Sequence, residues 1–203
     1  MDQLVVVEEQ SLVHQQATRL RTAWDPAGGN FVGTLAGAGA VGNPYPSSQE
    51  ALNGISNALF YVDLVTKDMK VAIPAGISLS CGQASCPGSV ELPLSKLSLA
   101  SIRANLEMYK LVMTGGAGAA LGFDDLLVSI GQDAVSTTML SDIDAAIAAV
   151  DAITMPLGTA VDAQPTEVQA LYDAIKVLTD LLKGQFCALL DLDRPMAAAG
   201  DND

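Results

Sequence analysis

Three observations predict an all-α fold: an up-and-down helical bundle of four long helices and one short one, with a long ordered loop between the second and third. Apolar residues recur at alternating steps of three and four along most of the 203-residue chain, the spacing of one helix face. Glycine and proline cluster between those stretches, where they end helices. No long run alternates apolar and polar residues, so only the long loop could hold an extended pair.

The first helix spans 3–24, because Val6, Val13, Ala17, Leu20 and Trp24 share a face, and Pro26 with Gly28-Gly29 stops it. The Gly/Ala-rich run NFVGTLAGAGAVGNPYP reads as a loop with room for one short helical turn. Ser47 followed by Glu50 is a capping-box pattern, in which each side chain satisfies a free amide at a helix start. A second helix then runs to about Lys67 on the face Leu52, Ile55, Leu59 and Val62. Ser98 caps a third, with Leu99, Ile102, Leu106, Tyr109 and Met113 on one side and Gly115-Gly116 at its end. A short fourth helix, 123–132, opens on Asp124 and Asp125, whose charges suit the positive end of a helix dipole. The fifth, 135–155, carries Met139, Ile143, Ile147 and Val150 and breaks at Pro156 and Gly158. The last begins at Pro165 and holds the longest stripe, from Val168 through Ile175 and Phe186 to Leu189. The whole of 1–203 reads as a single domain with a frayed tail over 194–203.

The stretch from Lys67 to Asn105 organises the rest. It joins two helices through three prolines, three glycines and two cysteines, and ordered loops longer than about 12–15 residues are usually functional. Its apolar residues Val71, Ile73, Ile77, Leu79, Val90, Leu92 and Leu94 predict that it packs on something.

Composition narrows function mainly by exclusion. A formal net charge of −13 argues against nucleic acid and against anionic membrane surfaces. With 50% apolar but only 4% aromatic residues, the core must be built from aliphatic side chains. No apolar run is long enough to span a bilayer. The start, MDQLVVVEEQ, lacks the basic region of a signal peptide, so the chain reads as cytosolic or as a piece of something larger.

Chemical motifs are sparse. Cys81 and Cys86, spaced C-x4-C, read first as a small disulfide loop of an extracytosolic protein; free thiols and half of a metal site are the alternatives. Cys187 lies beside an apolar stripe and reads as a buried thiol. His14 is the only histidine and has no helical His or Glu partner. Asp142, Asp144 and Asp151 read as a solvated face. A nucleophile elbow, a phosphate loop and a calcium loop are all missing.

Taken in order, AWDPAGGNF, KDMKVAIPAGI, VELPLSKLSLASIRANLEMYKLVMTGG, LGFDDLL and the ending GDND resemble the imelysin family of bacterial cell-envelope proteins. The resemblance spans about Leu12 to Asp203 and covers only the C-terminal of that family's two helical bundles. The family's G-x-H-x-x-E motif belongs to the other bundle and is absent, since Ala17 stands where His14 would need its Glu. What carries over is the inter-helix loop: Asp68, Lys70, Glu91, Ser95 and Asn105 as binding candidates, with Pro74, Gly76 and Ser98 beside them. Each also has a structural role open to it: Pro74 and Gly76 in the turn, Ser98 as a cap, Glu91 and Asn105 on loop backbone.

The resemblance implies a periplasmic or outer-surface location, an association with iron uptake, iron or another divalent metal as cofactor, and a partner carrying the missing bundle. It leaves oligomerisation open. It also carries a metallopeptidase label for which this chain offers no motif. The leading expectation is therefore a non-catalytic, metal-associated envelope protein; a metallopeptidase and a purely structural or protein-interaction bundle are the alternatives.

Overall fold

The computed structural model describes residues 2–116 and 120–199, with side chains over 12–116 and 120–198. Helices and turns make up the described residues, and no strand occurs among them. The all-α reading holds. The chain condenses into two compact units, residues 1–55 and 56–203.

The first unit opens with α1 (Asp2–Trp24), which ends as the sequence predicts. Asp25 accepts a hydrogen bond from the amide of Ala27 at 2.8 Å, and Gly29 donates to the Thr22 carbonyl at 2.9 Å. α2 (Phe31–Ala36) is the short helical turn anticipated in the glycine-rich run. Asn30 starts it from a left-handed conformation, with its side chain accepting from Gly33 at 3.2 Å. Phe31 sits edge-on to both Trp24 and Tyr45, at 4.9 and 6.4 Å between ring centroids. The apolar stripe of α1 is uncovered: Val13 is 70% exposed and Leu20 64%. Spacing identifies a shared face but not what covers it. α3 (Ser48–Leu59) carries the chain out of this unit, and Ser47 Oγ accepts from the Glu50 amide at 3.2 Å, as the capping pattern predicts.

The second unit holds four long helical elements: a π-helix over Val62–Ala72, α4 (Ser98–Thr114), α6 (Asp133–Ala152) and α8 (Pro165–Leu181). Each packs on the next in chain order, and the last returns to the first. Their apolar stripes fill the centre, with Ile102, Leu106, Met139, Ile143, Leu171 and Ile175 at zero exposure. Ile147, expected to face inward, is only partly buried, and Ala146 takes the interior position. The short α5 (Phe123–Ser129) closes against α4 and α6. Asp125 accepts from the Gly122 amide at 3.0 Å at its start.

Three features depart from expectation. The second helix does not end as α-helix at Lys67: it gives way after Leu59 to the wider π-winding, which runs on to Ala72. The loop therefore begins at Ile73. Between α6 and α8 lies an extra helix, α7 (Leu157–Ala163); two turns give too few apolar positions to show a period. The last helix reaches Leu189 as its stripe predicts, but between α8 and α9 (Cys187–Leu189) it winds as a second π-helical stretch, Leu182–Phe186. In the tail, Met196–Ala199 forms α10; the rest of the expected frayed end, 200–203, lies outside the described residues. No single helix among the described residues is long and apolar enough to cross a membrane.

Residues 73–97 form a strap without regular structure beyond a 3₁₀ turn at Pro87–Ser89, which packs on α7. A disulfide joins Cys81 and Cys86. Val90 is buried, as expected, but Leu79 and Leu94 stand almost fully exposed. Ser98 does not cap α4: its hydroxyl accepts from the Leu92 amide at 3.1 Å and so ties the strap down.

Candidate functional site

The most chemically loaded region of the second unit lies along the π-helix. Seven of its residues are buried, and Asp63, Thr66, Lys67 and Lys70 are among them. π-Helical winding is rare and recurs at functional sites. Here it turns charged side chains inward on a stripe that continues from the apolar Leu59 and Val62.

Asp63 and Lys67 have no exposed side-chain surface, and the Lys67 ammonium lies 3.5 Å from Asp63 and 2.8 Å from Asp68. It also sits 5.7 Å from the ring centre of Tyr172 on α8, a cation–π distance. From the second π-helical stretch, Lys183 reaches within 3.4 Å of Asp63 and 3.9 Å of Asp180. Both π-helical segments thus contribute to one buried ionic chain. Neither carboxylate oxygen of Asp63 has a hydrogen-bond partner. Burying such charges is offset only by close pairing with opposite charge.

A second cluster faces the strap. Lys70 Nζ lies 3.0 Å from Glu91 Oε2 and donates to Ser101 Oγ at 3.1 Å. Ser101 in turn donates to Glu91 at 2.7 Å, closing a triangle. The Lys70 ammonium also sits 5.3 Å from the centre of the Tyr61 ring. Partial burial alone would raise the pKa of Glu91; the hydrogen bonds from Ser101 and Lys70, with the lysine's charge, outweigh it and hold the carboxyl below the ordinary glutamate value. The triangle is an ion pair bridged by a hydroxyl, and that hydroxyl is engaged on both sides.

Of the candidates from sequence, Lys70 and Glu91 are brought together, and Asp68 pairs with the buried Lys67. Asn105 donates to Thr66 Oγ1 at 3.2 Å, on the π-helix and not on loop backbone; Glu91 likewise meets side chains. Ser95 is exposed on the strap and joins neither cluster. Cys81 and Cys86 close their loop at its outer part. His14 is exposed on α1. Sequence reasoning missed Asp63, Thr66, Lys67, Ser101 and Lys183. The first three carried a legible signal, since 59, 63, 66, 67 and 70 continue one helical face, but charges at such spacing ordinarily lie on a solvated surface.

Beside these clusters runs an open apolar cavity of about 670 Å³. Tyr61, Leu64 and Val65 line one side, and Asn105, Met108 and Val112 of α4 the other. Tyr61 and Asn105 border both the cavity and the polar groups around Lys70 and Thr66.

The described residues do not fit an iron or other metal centre. Among the described residues no three His, Cys, Asp or Glu side chains lie close enough to share an ion, and Asp63 and Glu91 each face an ammonium group.

A family model described as imelysin matches residues 10–184. No curated protein matches the chain. No solved structure matches it.

Proposed function

The chain belongs to the imelysin family, and on that premise we propose that it is a non-catalytic binding component of the bacterial cell envelope. It works beside a partner that carries the G-x-H-x-x-E bundle, in the metal-linked task associated with the family. The closed Lys70–Glu91–Ser101 triangle carries the non-catalytic part of this reading. A nucleophilic serine needs a base free to take its proton, and the carboxylate to which Ser101 donates is held by the Lys70 ammonium. The uncovered stripe of α1, with Val13, Leu20 and Trp24 exposed, supports the partner, because an amphipathic helix gains most of its stability from covering such a face. The Cys81–Cys86 disulfide supports an oxidising compartment.

Co-purification from the envelope fraction of cells expressing the chain tests this. The expected result is co-elution with a protein bearing the G-x-H-x-x-E motif, with iron or zinc in the complex and only background metal on the separated chain. Chelator-sensitive proteolysis by the purified chain would favour the metallopeptidase reading and end this one. A stable complex without metal would support a purely structural or protein-interaction bundle, which the ionic packing around Lys67 also suits.

A further inference from the structure

We propose that the cavity between the π-helix and α4 binds an uncharged small molecule with an apolar body and one hydrogen-bonding end. Its volume of about 670 Å³ falls in the range of roughly 300–1,000 Å³ that encloses small organic ligands. The lining contains no Asp, Glu, Lys, Arg or His. The polar groups that border it are the amides of Asn57 and Asn105 and the hydroxyl of Tyr61.

Charge decides what enters. An anionic amphiphile would find no cation in the walls and would approach a chain of net charge −13. A second copy would bring the same charge against itself, and like charge keeps proteins apart. An uncharged apolar molecule meets neither obstacle. Removing the exposed flanks of Tyr61 and Met108, 45% and 56% accessible, from water would add to its affinity. The proposal stands independently of the envelope role and of any partner on α1.

Two fluorescent probes with a shared skeleton test it: neutral N-phenyl-naphthylamine and its sulfonated analogue anilinonaphthalene sulfonate, titrated into the intact chain. The neutral probe should bind saturably at one site, at least about tenfold more tightly than the sulfonate. Val112→Trp, which fills the cavity, should weaken it by at least about tenfold. Met108→Glu, on the exposed lip, should do the same and serves if the tryptophan variant fails to fold. Leu94→Trp on the strap should change nothing. Absent or non-saturable neutral binding, equal affinity for both probes, or insensitivity to both cavity variants would overturn the assignment. So would a dimer in sedimentation that Met108→Glu dissociates, since that places a second copy on the cavity.

Discussion

Lys67 is wholly buried between two carboxylates and an aromatic ring, and a charge so placed is expensive to disturb. Removing one member of a buried pair typically costs about 3–5 kcal/mol, because the other is left without its partner in a low-dielectric site. Lys67→Met should therefore lower unfolding stability by about that much in a denaturant titration. Adding Asp63→Leu should cost less than the two single changes summed, since each single change already breaks the Lys67–Asp63 contact. A loss under about 1 kcal/mol from Lys67→Met would show that the chain is hydrated in solution. Glu91 makes the complementary case at the strap. Its pKa in the fold lies below the ordinary 4.5, so its contribution is full above that value and fades as pH falls through it toward the folded pKa. Glu91→Gln should lower the melting temperature at about pH 7, and the gap from the parent chain should narrow steadily as pH is taken below 4.5. A gap that persists in acid would mean that the carboxylate acts through shape and not charge.

The strap, at the scale of an element, holds its path through a few discrete ties. Cys86 donates its amide to the Pro74 carbonyl at 2.8 Å, Ser85 bonds Asp162 at 2.5 Å, and the disulfide closes the loop between them. Gly76 has φ of 72°, and a Cβ there would lie 2.2 Å from the Ala84 carbonyl oxygen. Gly76→Ala should thus destabilise the strap by about 1–3 kcal/mol and open residues 73–97 to limited proteolysis before the helices unfold. Thiol counting gives a direct check on the cysteines. The native chain should show no fast-reacting thiol, because burial raises the pKa of Cys187 against a smaller lowering by Arg194. Denaturation without reductant should release one thiol, and with reductant three. Two or more thiols in the unreduced denatured chain would mean that the disulfide does not form.

For the whole molecule, what could be read in advance tracks the length of each signal. α4, α6 and α8 declared themselves because four or more apolar positions repeat along each, and glycine or proline marks their ends. α7 was hidden by brevity. The π-helices were hidden because their apolar positions fit an α-helical period until the extra residue per turn accumulates, and because Asp63, Lys67 and Lys70 resemble a solvent-facing row in the bare string. The stripe of α1 was legible as a pattern, but spacing alone does not say that it lies uncovered. Within the candidate site, family likeness singled out Lys70 and Glu91, but only three-dimensional placement supplied Ser101, thirty-one residues along from Lys70, and the cavity shared with Tyr61 and Asn105.

The π-winding between Asp63 and Lys70 has an evolutionary consequence. One end of that segment engages Lys183 and the other engages Glu91, so its residue count sets the angle between two anchors. Deleting a single amino acid there would rotate one anchor about the helix axis relative to the other and uncouple whichever was not kept in phase. Such a segment tolerates exchange of side chains far better than a change in length, and any indel should survive only alongside a matching one near Lys183.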